Sequence, residues 1–190
     1  MNYLIVGLGN FGNAYKNTRH NIGFMIIDDL SLHYGFTFKE SKYAFEAEHN
    51  LGNVMAYFIK PTTYMNNSGK AVVYYMQQLK ISLDRLLIVV DDLDFDFGIC
   101  KIKLQGSSGG HNGLLSIEEK LGTRKYARLR MGIGRNYLPG EQANYVVSVF
   151  RTQEKEHLNV VIKNGSGIVS HILANGTLSA MNIFNKNKLL

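Results

Sequence analysis

An α/β fold is the class this sequence predicts, and three observations predict it. Strand-like and helix-like segments alternate along the chain, with no internal repeat, low-complexity tract or long linker. Leu86 to Val90 is a continuous apolar run ending in Asp91, the mark of a central buried strand. The 190 residues, 45% of them hydrophobic, suit one domain with a sizeable core.

The elements follow from local patterns. Residues 2–7 read as a short buried strand, and 8–20 as a polar, glycine-bearing loop. From Asn21, Ile22, Met25, Ile26, Leu30 and Tyr34 keep helical spacing as far as Gly35, which suits a C-cap. Residues 43–49 and 53–60 read as two strands of a hairpin around Gly52-Asn53. A helix over 67–80 puts Ala71, Val72, Tyr75, Met76 and Leu79 on one face. Residues 99–104 alternate as a strand, and Gly106-Ser107-Ser108-Gly109-Gly110 is a flexible loop. A helix at about 113–121 and a strand at 127–133 come next. Leu158, Val161, Ile162, Gly165, Ile168, Val169 and Ile172 mark a long amphipathic helix, and a last short helix follows Asn175-Gly176.

Charge and cysteine use narrow the function classes. The formal net charge is +6, and eight of the 21 Lys and Arg residues lie between Lys101 and Arg135, opposed there only by Glu118 and Glu119. Such a cluster is either a solvated face or a phosphate-contacting surface. Cys100 is the only cysteine, so no internal disulfide forms and a reducing, cytoplasmic compartment is expected. Met1–Gly7 lacks the basic n-region and long apolar run of a signal peptide, and no run approaches the ~20 residues that span a bilayer. No membrane association is expected.

Four motifs offer chemistry. Gly7-x-Gly9-x-x-Gly12 follows a strand and matches the dinucleotide fingerprint. That fingerprint needs a helix to open at once, whereas Asn13–His20 is polar and Asp28 and Asp29 fall inside a helix. A tight strand-to-loop turn is the better account. The loop ends in Thr18-Arg19-His20-Asn21, where His20 is either structural or a base beside Asn10. Thr63-Tyr64-Met65-Asn66-Asn67-Ser68-Gly69-Lys70 opens a helix; one of its polar residues caps it, and its amides also suit a carbonyl substrate.

Asp91, Asp92 and Asp94 sit at the C-terminal end of the buried strand, where α/β sheets place ligands. Their carboxylates invite a metal, but no phosphate grip accompanies them and no His pair has ligand spacing. The alternative is that one Asp orients a histidine. Gly106–Gly113 lacks the Gly-Lys-Ser/Thr ending of a P-loop, and its His111 is either a packing or capping residue or part of a site. No Gly-x-Ser-x-Gly elbow occurs, and Cys100 reads as a core residue, so no covalent nucleophile is expected. One His, several carboxylates and Asn residues on glycine-bearing loops suit a water activated by a general base, with amides holding a carbonyl. On the residues alone the expectation is a hydrolase, with RNA as its candidate substrate.

These motifs, in this order, resemble bacterial-type peptidyl-tRNA hydrolase. Gly7-Leu-Gly-Asn10 through Asn21-Ile-Gly23 is similar to its first signature, and Lys60-Pro61 through Gly69-Lys70 to its second. Asp91-Asp92-Leu93-Asp94 and Gly106 through Leu114 resemble the third and fourth. Arg128-Leu129-Arg130-Met-Gly132 and Asn144-Tyr145-Val146-Val147 complete the series. The chain departs from the family at Phe11, usually Pro, and at Phe95-Asp96, commonly Leu-Pro.

The resemblance implies an esterase acting on the 3′ ester of peptidyl-tRNA, without cofactor or metal. His20 would be the general base, oriented by Asp91. Asn10 would contact the peptide–nucleotide junction and help reject free aminoacyl-tRNA. Asn66 and Asn112 would position carbonyl, water or terminal nucleotide. Tyr15, Tyr64, Met65, Gly109 and His111 would line the substrate site, and Lys103 and Arg130 would grip the tRNA phosphate end. A non-catalytic RNA-binding module on the same fold is the alternative. One compact α/β domain over residues 1–190 is expected, with a central mixed, largely parallel sheet, helices on both faces, and a monomeric state.

Overall fold

The apolar run at Leu86–Val90 forms part of a strand inside a seven-stranded sheet in the computed structural model, which describes residues 1–185. The strands are β1 (Asn2–Gly7), β2 (Lys39–Ser41), β3 (Ala44–Asn50), β4 (Met55–Pro61), β5 (Leu86–Asp92), β6 (Cys100–Lys103) and β7 (Ala127–Gly132). Their order is β2-β3-β4-β1-β5-β7-β6. The four inner strands β4, β1, β5 and β7 run parallel, and β2, β3 and β6 pair antiparallel at the two sides. This is the mixed, largely parallel sheet that the sequence predicts.

The helices are α1 (Ile22–Tyr34), α2 (Ser68–Gln78), α3 (Asn112–Leu121), α4 (Gln142–Val146), α5 (Thr152–Asn175) and α6 (Thr177–Phe184). Two cores form because successive strand residues point to opposite faces. Ile5, Leu87, Val89 and Leu129 meet α1 and α5 on one side. Leu4, Val6, Leu86, Ile88 and Val90 meet α2 and α3 on the other. Every residue of β5 is buried, as expected of a strand with helices on both faces.

The glycine motif after β1 serves helix packing. A Cβ on Gly7 would stand 2.5 Å from the Gly23 carbonyl oxygen, and one on Gly23 would stand 2.5 Å from the carbonyl oxygens of Leu8 and Val89. Both must lack side chains for the first turn of α1 to seat between β1 and β5. That contact places His20, just before α1, beside the C-terminal end of β5. Of the three glycines in Gly7-x-Gly9-x-x-Gly12, only Gly12 has a left-handed backbone, at φ 101°.

Two elements escaped the sequence. The three-residue β2 extends the hairpin by one short edge strand. The five-residue α4 shows too little periodicity to be read. The long helix starts at Thr152, six residues before Leu158, because its first turn faces solvent apart from Glu154.

Candidate active site

His20 ends the loop after β1 within a single 3-10 turn, Arg19–Asn21, that runs directly into α1. Its imidazole is buried against Asp91 near the end of β5, with Nδ1 2.9 Å from both carboxylate oxygens. A carboxylate accepts only, so Nδ1 carries the proton and Nε2 is left as the basic nitrogen. Burial alone would lower the pKa of His20; the charge and hydrogen bond of Asp91 outweigh it and hold the imidazole above the ordinary histidine value. Burial pushes Asp91 up, and attraction to His20 and His111 with their hydrogen bonds reverses this, holding it far below the usual carboxylate range.

His111 lies on the other side of the same carboxylate. Its Nε2 is 2.9 Å from Asp91 Oδ1, and the two imidazole centroids are 4.8 Å apart. Its Nδ1 accepts from the backbone N–H groups of Gly113 and Leu114, capping α3. Spacing along the chain hides this His pair, because its members lie 91 positions apart. His20, Asp91 and His111 offer ligand-type atoms within 4.8 Å of one another. Those atoms are hydrogen-bonded to each other, so a metal would have to displace both histidine–carboxylate contacts.

The amides assemble around a second pair. Asn10 N–H donates to Asn21 Oδ1 at 2.8 Å, and Asn21 Nδ2 donates to the Asn10 carbonyl at 2.9 Å. Asn10 Oδ1 then accepts from Met65 N–H at 3.3 Å, tying the first loop to the turn before α2. Asn21 is thus a positioning residue, although its place in the sequence marks only the helix start. Asn66 and Asn112 are exposed at the starts of their helical segments. Phe11, one departure from the family pattern, packs at 5.6 Å against Tyr64, which is 69% exposed.

Arg19 is a further residue that the sequence does not reveal. Its guanidinium is buried over the rings of Tyr145, at 4.4 Å, and Phe150, at 5.2 Å. It donates to Ser148 Oγ at 2.8 Å, to the Val149 carbonyl, and to Glu154 at 2.5 Å. Thr18 bridges to Val149, and Arg19 N–H donates to the Ser148 carbonyl. The loop carrying His20 is therefore clamped to the segment between α4 and α5. No signal short of the fold joins positions so distant in sequence.

A cleft of about 620 Å³ opens over the histidine pair. His20, Asp91, Gly109, His111, Asn112 and Arg130 line one side, and residues between Tyr137 and Val146 form another wall. Of the sequence candidates, Asn10, Tyr15, Tyr64, Met65, Asn66 and Lys103 do not line it. Asn10, Tyr64, Met65 and Asn66 belong to the adjoining linked loops, Tyr15 to the loop before His20, and Lys103 to the outer strand β6. A more open depression of about 670 Å³ over Gln105–Ser107, Glu118 and Arg124–Lys125 contains no histidine–carboxylate pair, so the chemistry belongs to the former.

The four arginines of the basic cluster are paired with carboxylates. Arg130 pairs with Asp92 and, at 3.4 Å, with Asp94, which also binds Arg135 at 2.9 Å. Phe95, at the second departure from the family, stacks 5.1 Å beneath the Arg130 guanidinium. Burial raises the pKa of Asp92 beyond what Arg130 and the Asp94 N–H offset. Arg128 is buried, donating to the Ser107 and Arg124 carbonyls and so supporting the base of the His111 loop.

A family model described as peptidyl-tRNA hydrolase matches residues 4–190. The peptidyl-tRNA hydrolase of Cytophaga hutchinsonii is 45% identical over 188 residues, covering 99% of this chain and all of the relative. That of Azobacteroides pseudotrichonymphae is 46% identical over 186 residues, covering 98% of this chain and all of its own. The crystal structure of peptidyl-tRNA hydrolase from Acinetobacter baumannii superposes with a TM-score of 0.92 at 32% identity, covering 99% of this chain and 96% of the other. With its fold, site geometry and full-length similarity in agreement, the chain belongs to the peptidyl-tRNA hydrolase family.

Proposed function

We infer that this chain hydrolyses the ester joining a peptide to tRNA, releasing both. The observation that carries the reading is His20, its Nδ1 fixed on buried Asp91 while the residue itself lines the cleft. In this reading Nε2 takes a proton from water as the water attacks the ester carbonyl. Asp91 keeps the ring in that tautomer and stabilises the imidazolium that forms. The proton then passes to the departing 3′ oxygen of the terminal ribose. A positioned base contributes about 10²–10⁴-fold, and one donor to the developing oxyanion about 2.7–4 kcal/mol. An ester is activated enough for these two effects to suffice without a covalent intermediate.

Asn10, Asn66 and Asn112 hold the substrate in this proposal: Asn10 at the peptide–nucleotide junction, and the other two at the carbonyl, the water or the terminal nucleotide. Tyr15 and Tyr64 offer faces to a base, where stacking is worth about 1–3 kcal/mol. Met65, Gly109 and His111 complete the surroundings, and Lys103 and Arg130 take the phosphate end of the tRNA. The activity requires no metal or cofactor and belongs to the cytoplasm, with the chain acting as a monomer.

The test is release of N-blocked aminoacyl groups from labelled tRNA, with wild type beside His20→Ala, EDTA present, and unblocked aminoacyl-tRNA as control. Turnover by wild type alone, on the blocked substrate only, supports the reading. Tight tRNA binding by a folded wild type without turnover would replace it with a non-catalytic RNA-binding module.

A further inference from the structure

We propose that His111 is a positioning residue that sets the basicity of His20 through their shared carboxylate, Asp91. The proposal rests on the esterase reading for its catalytic consequence, though not for the coupling itself. Each nitrogen of His111 has a defined task. Nδ1 accepts from Gly113 N–H at 3.1 Å and Leu114 N–H at 3.3 Å, so it bears no proton. The ring proton therefore sits on Nε2 and points at Asp91 Oδ1, 2.9 Å away. With the lone pair of Nδ1 already taken by two N–H groups, this imidazole cannot itself serve as the base, and neither nitrogen is left for substrate. It donates one hydrogen bond into the carboxylate that holds His20.

That donation has a direction. Asp91 is 3% exposed, and its charge is met by His20 Nδ1 and His111 Nε2. Each hydrogen bond it accepts makes the carboxylate a weaker acceptor for the next. With His111 in place, Asp91 grips the His20 proton less tightly, and Nε2 of His20 stays unprotonated to lower pH. Without it, the full charge of Asp91 falls on His20 and raises its pKa further. The charged or titratable neighbours are few. β5 supplies Asp91, the loop before α3 supplies His111, and the Arg19 guanidinium is committed to Glu154. Asp92 faces Arg130.

The same ring ties this setting to the N-terminus of α3. The two N–H groups that fix the tautomer are the second and third donors of the helix that begins with Asn112. Loss of the cap would release the ring, the loop and the hydrogen bond to Asp91 together.

Two substitutions separate the cap from the coupling. His111→Asn keeps an oxygen for Gly113 and Leu114 N–H but is too short to reach Asp91. His111→Gln carries an amide N–H at a reach similar to Nε2. The readouts are the His20 imidazole pKa by NMR titration and the acid limb of the kcat/KM profile on N-blocked aminoacyl-tRNA. His111→Asn is expected to shift both upward by about half to one pH unit, which is roughly three- to tenfold in activity on the acid side. His111→Gln is expected to bring them back toward wild type. An unshifted His20 pKa in a folded His111→Asn protein, with only its melting temperature lowered, would overturn the proposal. An upward NMR shift in a protein whose wild type does not turn over would sustain the coupling and reject the esterase reading.

Discussion

Arg130 pairs with Asp94 at 3.4 Å, although Arg130 is the residue proposed to receive a tRNA phosphate. Asp94 also holds Arg135, and Asp92 engages Arg130 from within. A phosphate arriving here replaces a carboxylate instead of finding a bare guanidinium. Asp94→Asn should therefore tighten tRNA binding by about two- to fivefold, since an exposed pair of this kind is worth up to ~1 kcal/mol. Binding titrations across salt concentrations check it, with a steeper salt dependence expected because more counterions are released. Unchanged affinity and salt slope would place the tRNA phosphate elsewhere.

Arg19→Ala should unfold more easily and lose activity together. Removing one partner of a buried ion pair costs about 3–5 kcal/mol, because the other charge is left unmatched. Glu154 keeps some solvent contact, with a side chain 17% exposed, which places the cost at the lower end. A fall in melting temperature of about 6–12 °C corresponds to this in a chain of similar size. Below the new transition, activity should remain reduced, because the His20 loop has lost its clamp. Calorimetry and turnover on one preparation decide the point.

Asp91→Asn should keep the fold and lose about 10³–10⁴-fold in kcat, with a smaller effect on KM. An amide can donate to His20 and so favour the tautomer with its proton on Nε2, the wrong nitrogen for a base. Steady-state kinetics alongside circular dichroism test this. A variant retaining a tenth of wild-type activity would remove Asp91 from the mechanism.

Activity and pair stability should respond to pH in opposite senses. His20 is held above its ordinary value of 6.5, so kcat/KM should rise as pH climbs through that raised value. The stabilisation from its pairing is fully present below 6.5 and lost as pH rises through the same folded value. Asp91 is depressed below its ordinary value of 3.8; its contribution is present above that value and lost as pH falls through the lower folded one. Chemical denaturation at a series of pH values, compared between wild type and His20→Ala, isolates the histidine part.

The architecture was readable because period and burial agree. β5 announced itself by five apolar residues in a row, and α1 by helical spacing from Ile22 to a left-handed Gly35. His20 and Asp91 were readable as chemistry because one is a rare residue in a polar loop and the other closes a buried strand. What escaped are partnerships with no local signature. Asn21 looks like any helix-start residue, yet it holds the Asn10 backbone from both sides. His111 reads as either a cap or a site component and is bound in both directions at once. The cluster from Lys101 to Arg135 reads as a solvated face or a phosphate-contacting surface, and the sequence does not show that Asp92, Asp94 and Glu118 hold all four of its arginines. Sequence spacing reports charge; only the fold reports how much of it is already spoken for.

The contact between Arg19 and Glu154 joins positions 135 residues apart. Synthesis runs from the N-terminus, so the loop bearing His20 is made well before the residues that clamp Arg19. Until Glu154 and the Tyr145–Phe150 segment have emerged, the guanidinium lacks these partners and the His20 loop is held only by Asp91, by the Asn10–Asn21 and Met65 hydrogen bonds and by the seat of α1. Maturation of the centre is thereby coupled to completion of most of the polypeptide, and a chain truncated before residue 145 would carry its His20 and Asp91 without the clamp that aligns them.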